Sequence, residues 1–159
     1  MRFIAGFAAF GVLAVVALPT VSEAAEMRGV SAAEIRIGQT MPYSGPVSAF
    51  GALGKGEVGY FKMLNERGGI NGRKVNLISL DDGYAPPKTV EQTRRLVESD
   101  EVALIFSSIG TAHNTAIAKY LQAKNVALLF IDFGASNSRT LVPAFGNLIG
   151  ASVDHTMKE

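Results

Sequence analysis

Residues 102–131 read VALIFSSIGTAHNTAIAKYLQAKNVALLFI, and this stretch decides the fold. Its two ends, 102–106 and 126–131, are unbroken apolar runs, the pattern of β-strands covered on both faces. Between them Ile117, Ala118 and Leu121 recur at the helical period, and Thr111 stands where a capping hydroxyl belongs. A strand, a helix and a second strand in this order call for a right-handed crossover between parallel neighbours. Towards the amino terminus the same alternation appears twice more. Residues 35–39 alternate apolar and polar, and 75–80 nearly do so. After the first comes a helix with Val58, Phe61 and Leu64 on one face and a stop at Gly68-Gly69. After the second comes a helix that opens at Pro86-Pro87, turns Val90, Thr93 and Val97 inward and leaves Glu91, Arg94, Arg95 and Glu98 in water. The pattern predicts an α/β fold, a doubly wound parallel sheet with helices on both faces. Beyond Ile131 there is a polar loop, a short run over 145–149 that suits a fifth strand, and a polar tail over 154–159.

Composition narrows the function. Of 159 residues 48% are hydrophobic and 18% charged, so the chain has the apolar content to fold. Fifteen Lys and Arg against 14 Asp and Glu leave a net charge of +1, too small a field for nucleic acid as a partner. The absence of Cys excludes disulfides, thiolate zinc sites, a Cys nucleophile and a Cys-linked lipid. Two His are too few for a His-rich metal centre, and no metal or cofactor is expected. The beginning reads as a secretory signal: Met1 and Arg2, an apolar run over 3–18, Pro19, then Ser22-Glu23-Ala24-Ala25 with small residues at the spacing of a cleavage site. The run reaches about the lower limit of the ~17–25 residues of a spanning helix, so an uncleaved anchor is the rival reading. Cleavage after Ala24 divides the chain into a signal segment, 1–24, and one domain, 25–159, exported to the periplasm.

Ligands of open α/β sheets lie beyond the carboxyl ends of the strands, where strand order reverses. Four loops qualify: Met41 to Phe50, Asp81 to Ala85, Ser107 to Thr111, and Asp132 to Ser136. With the first strand central, its neighbour across the reversal is the third. The third loop has the chemistry of an anion site, with hydroxyls at Ser107, Ser108 and Thr111, a permissive Gly110 and the free N–H groups of a helix start. A carboxylate would fit there. Against this stands the plainer reading that the serines satisfy strand-end backbone groups and Thr111 merely caps. Tyr43, Phe50, Tyr84 and Phe133 could wall a pocket or simply cover the core, and Gly45, Gly83 and Gly134 read as turn residues.

Three rival chemistries compete with this reading. Gly54-Lys55-Gly56-Glu57-Val58-Gly59 matches the dinucleotide fingerprint G-x-G-x-x-G, with Asp81 further on. Its glycines fall well past the strand end near Thr40, however, whereas pyrophosphate binding needs them in the strand-to-helix turn itself. Asp81-Asp82 could hold magnesium or accept a phosphate, but the acids end the second strand, no acceptor Asp ends the third, and a solvated turn is the favoured reading. A secreted hydrolase using Ser107 or Ser108 with His113 lacks the G-x-S-x-G elbow and an acid to orient the histidine. His113, near a helix start, is expected at the surface, and His155 carries no reading.

At these loops the sequence resembles the type I periplasmic solute-binding proteins of ABC importers, specifically the leucine/isoleucine/valine-binding group. IRIGQTMPYSGPVSAFG, LNERGGINGRKVNL, DDGYAPPKTVEQTRRLVE, SSIGTAHNTAIAKYLQAKNVALLF and FGAS occur in the family's order and spacing. The resemblance implies a non-enzymatic protein that binds branched-chain or related amino acids in the periplasm and delivers them to a membrane permease. It implies a ligand carboxylate held by Ser107, Ser108 and Thr111. Phe133, Ala135 and Ser136 would face the ligand's amine or carboxylate, and Tyr43 and Tyr84 would line the cleft. Asp132-Phe133 stands where the family has small or hydroxylated residues, which implies a reshaped pocket. Family members clamp the ligand between two lobes, the second supplying an acid for the ammonium group. The residues given match the first lobe, so the chain reads as that lobe of a longer protein, and an inactive fragment is the alternative.

Overall fold

The computed structural model describes residues 27–132. The signal segment over 1–24, the 145–149 run, Phe133, Ala135 and Ser136 lie outside the described residues. Within them β1 (Glu34–Met41), α1 (Gly51–Glu66), β2 (Lys74–Asp81), α2 (Pro86–Glu98), β3 (Leu104–Phe106), α3 (Thr111–Ala123) and β4 (Ala127–Leu129) alternate, with a 3-10 turn (Ser48–Phe50) leading into α1. The strands are parallel and lie in the order β2-β1-β3-β4. The chain therefore steps from β1 outward to β2, returns across β1 to β3, and continues to β4. Right-handed crossovers place α1 on one face and both α2 and α3 on the other. The doubly wound sheet expected from the sequence is what forms, with β1 and β3 as neighbours at the reversal.

The two faces are unequally packed. On one, Leu96 and Val97 of α2 meet Ile117 and Leu121 of α3 over Ile105, Val102 and Val126, each at most 2% exposed. Ile78 and Leu80 of β2 pack against them. Each such side chain contributes ~1.5–3 kcal/mol when fully buried, so this face is where most of the stability resides. α2 comes so close to β1 that a Cβ at Gly38 would stand 3.1 Å from the methyl groups of Leu96 and from Val102.

On the other face α1 approaches through glycine. Gly51 and Gly54 are its buried residues, lying against Tyr43 and Met41. The half-buried stripe continues through Glu57, Phe61, Leu64 and Asn65. Val58, expected on the inner face, is 43% exposed, because contact through the small Gly54 rotates the helix and puts Val58 on the flank. Asn65 pins the far end of α1 to β2, its Nδ2 donating to the Val75 carbonyl at 2.7 Å and its Oδ1 accepting from the Val75 N–H at 2.8 Å. The expected stop is there: Gly68 and Gly69 have positive φ, and the Gly69 N–H returns to the Leu64 carbonyl.

β3 and β4 are shorter than the apolar runs that announce them. Their residues on the α1 side, Leu104, Phe106, Ala127 and Leu129, are half-buried, not covered on both faces as the runs suggest. Phe61 meets Phe106 edge-on at 5.7 Å, and Phe106 meets Phe130 at 5.5 Å. Among the described residues no helix is long and apolar enough to cross a membrane.

Candidate functional site

The loops after β1, β2 and β3 emerge along one edge of the sheet, and the reversal between β1 and β3 opens there. Ser108 is fully buried, and its Oγ lies 3.1 Å from Thr40 Oγ1 at the end of β1. The next residues extend the β3–β4 pairing: the Asp132 N–H donates to the Ser108 carbonyl and the Gly110 N–H to the Asp132 carbonyl. Asn114, one turn into α3, braces the loop from below, its Nδ2 donating to the carbonyls of Gly110 at 2.9 Å and Ser108 at 3.3 Å.

α3 starts one residue earlier than its hydroxyl suggests. Gly110, at φ +100°, takes the cap position, and a Cβ there would stand 2.4 Å from His113 Nδ1. Thr111 is consequently the first helical residue, exposed, and no side chain caps the helix. The first-turn N–H groups of any helix lack internal partners, so α3 offers them at the edge beside a free-standing threonine hydroxyl.

Asp81 and Asp82, read as a solvated turn, are structural anchors. Asp82 is fully buried; one oxygen accepts the Tyr84 N–H and the other the Thr89 hydroxyl, both at 2.9 Å. Asp81 accepts from the Ser44 N–H and hydroxyl, the Gly83 N–H and Lys88 Nζ. Together they lash the β1 loop, the β2 loop and the start of α2. Held this way, Tyr84 adopts φ +57° and lays its ring 4.2 Å, centroid to centroid, from that of His113. His113 is 3% exposed, against the expectation of a surface residue. Polar residues near helix starts usually face water; this one is covered because a tyrosine from another loop sits on it, and sequence proximity carries no signal of that.

Tyr43 goes the other way. Its hydroxyl donates to Ser79 Oγ at 2.6 Å, Ser79 donates to Gln39 Oε1 at 2.7 Å, and the Gln39 amide donates to the Glu57 carboxylate. The direction of the chain follows from Ser79 having one proton to give. Tyr43 thus serves the interface under α1, while Tyr84, Ser107, Ser108, Thr111 and His113 gather at the reversal. Three residues just past the strand ends, Tyr84, Ser107 and Phe130, have positive φ, and such strain concentrates at functional edges.

The rival chemistries find no footing. Gly54, Gly56 and Gly59 lie inside α1 and not in a phosphate-binding turn. Both aspartates are engaged, and among the described residues no group of three or more His, Cys, Asp and Glu could hold a metal. Ser108 pairs with Thr40, and neither ring nitrogen of His113 has a partner among the described residues, so His113 is not paired with Ser107 or Ser108. A broad concavity lies at the opposite, amino edge, lined by Arg28, Arg36, Arg73, Glu34 and Glu101, but Arg36 is already engaged by Glu101 and the Asp100 carbonyl.

A periplasmic binding protein family model matches residues 34–158. The chain belongs to that family. Leu/Ile/Val-binding protein homolog 3 of Brucella melitensis is 31% identical over 115 residues, covering 70% of this chain and 31% of that protein. Homolog 7 of the same organism is 28% identical over 121 residues, covering 74% and 30%. The crystal structure of a substrate-binding periplasmic protein from Ralstonia solanacearum superposes with a TM-score of 0.62 at 31% identity, covering 65% of this chain and 30% of that one. This periplasmic binding protein chain thus spans less than a third of the length of these relatives, and its described residues form one α/β lobe of the type I fold.

Proposed function

We propose that this chain is the solute-binding component of an ABC importer, non-enzymatic, taking a branched-chain or related amino acid in the periplasm and passing it to a membrane permease. One observation carries the reading: the uncapped start of α3, with the exposed hydroxyl of Thr111, lies at the reversal between β1 and β3, where an anionic group meets oriented N–H donors and the positive end of a helix. The names of the curated relatives point to leucine, isoleucine and valine as the first ligands to try. In this reading Thr111 and Ser107 receive the carboxylate, and Ser108, its hydroxyl shared with Thr40, shapes the floor. Tyr84 walls the site, and Phe133, Ala135 and Ser136 contribute from the next loop. Tyr43 lines the cleft with its ring, since its hydroxyl is spent beneath α1. Residues 1–24 direct export and 25–159 form the ligand-binding lobe.

Protein recovered from a periplasmic extract, with Ala25 expected as its first residue, should be titrated with L-leucine into the millimolar range by NMR. Thr111→Ala should weaken binding by about 1–3 kcal/mol, the range for a hydrogen bond to a charged group. Affinity unchanged from the unsubstituted protein in both Thr111→Ala and Ser107→Ala would refute the site. Intact Met1 in a membrane fraction would refute the export.

A further inference from the structure

His113 is a buried imidazole whose ring nitrogens have no hydrogen-bond partner among the described residues. It is 3% exposed, and Oδ1 of the adjacent Asn114 likewise lacks a partner among them. Its position is fixed from two sides. Tyr84 stacks on the ring at 4.2 Å with the planes 33° apart, and Gly110 leaves the space that a Cβ, 2.4 Å from Nδ1, would fill. Tyr84 has positive φ, so local backbone strain is spent on seating this ring, and Gly110 takes its positive φ as glycine does freely. A neutral imidazole carries one donor and one acceptor, and burial without partners is unfavourable unless a partner arrives. The carboxylates of the neighbouring loop cannot be that partner. Asp82 is occupied by the Tyr84 N–H and Thr89, and Asp81 by Ser44, Gly83 and Lys88. Among the described residues the first turn of α3, to which His113 itself belongs, is open, its N–H groups carrying no side-chain cap.

We propose that His113 is a specificity-determining contact of the ligand site: an imidazole N–H, acting with the N–H groups that begin α3, receives the carboxylate of a small organic acid. The inference rests on the site proposed above and deepens it by adding a buried side chain whose donor capacity is unspent among the described residues. Such a contact discriminates by charge and by shape. A ligand with a carboxylate satisfies the ring; the same skeleton ending in an amide brings an NH₂ group and no negative charge towards a helix start.

The test uses the periplasmic protein that begins at Ala25, labelled with ¹⁵N. L-Leucine is the probe and L-leucinamide the control without a carboxylate, and His113→Phe assigns the ring signals against His155. Leucine should move the His113 ring nitrogens and leucinamide should not. His113→Phe keeps the stack on Tyr84 and deletes both nitrogens. It should weaken leucine binding at least tenfold while the thermal midpoint stays or rises, because no unpaired polar group is left inside. His113→Gln, which restores an amide donor, should recover part of the affinity. Unmoved ring signals, equal binding of leucinamide, or full leucine affinity in His113→Phe would each overturn the inference and leave the site standing. A fall in thermal midpoint in both variants would overturn it too, since it would mean that the ring nitrogens have an internal partner. No leucine binding by the unsubstituted chain would overturn the site and this contact together.

Discussion

Asp81 shows how much one carboxylate can organise. Burial works against its ionisation, but the hydrogen bonds from the Ser44 hydroxyl, Lys88, the Gly83 N–H and the Ser44 N–H outweigh it and hold the group well below the usual carboxylate range. The sign of the linkage follows. A depressed acid stabilises the fold above the ordinary carboxylate range, about pH 4, and that contribution is lost as pH falls further towards the folded value. Comparing urea midpoints of the natural chain and Asp81→Asn should therefore give a wide gap at pH 6 that narrows by pH 3. A gap independent of pH would mean that the charge on Asp81 does nothing for the fold. At this scale the sequence is only half legible. A turn at Asp81-Asp82 could be read from residue types, but the partners that draw both acids inward come from the β1 loop and from α2. His113 is hidden for the same reason: its cover, Tyr84, is remote in the chain. By contrast Ser107, Ser108 and Thr111 are legible because one short loop and one helix start carry all three.

Helices differ in what the chain reveals of them. α2 announces its start and its inner face, since Pro86 and Pro87 occupy the first turn and Thr93 and Val97 are buried. It is also clasped to α3, where the Tyr120 hydroxyl donates to Glu98 at 2.9 Å and Lys124 joins that carboxylate at 3.3 Å. Burial and the Glu98 charge push the Tyr120 phenol up to about 12. α1 is harder to read, because Phe61 and Leu64 mark its inner stripe but its closest contact is made by Gly51 and Gly54, which the apolar period does not include. Its other glycines have no such duty: a Cβ at Gly56 or at Gly59 would meet nothing within 4 Å. Alanine at either position should therefore raise stability by ~0.4–1 kcal/mol, through helix propensity and a less flexible unfolded chain. Chemical denaturation of the single and double variants checks this, and a loss of stability in Gly56→Ala or Gly59→Ala would reveal a contact on that side of the helix. β3 and β4 mislead in another way. Continuous apolar runs promise cover on two faces, yet burial depends on which helices cross above, and that is a property of strand order.

Across the whole molecule the asymmetry between faces should govern how it opens. The α2–α3 side contains Leu96, Val102, Ile105, Ile117 and Leu121 at 1% exposure or less, whereas on the α1 side Leu53, Val58, Tyr60 and Phe130 are between 41% and 56% exposed. Local stability follows buried apolar contact, so native-state hydrogen exchange should find α1 opening at a lower free energy than β1, α2 or α3. Equal protection of α1 and α2 would contradict that. The strand order has a consequence of its own. Among the described strands β1 is the first to be synthesised and yet an interior one, so it can pair with β2 early, but its other edge must wait for β3. During that interval Ile37 and Gly38 show bare backbone donors and acceptors to solvent, and Thr40 has not met Ser108. An unpaired edge of that kind templates strands from other chains as readily as its own. Crowding therefore threatens this protein less once it is folded than in the moments when its central strand has one neighbour and not two.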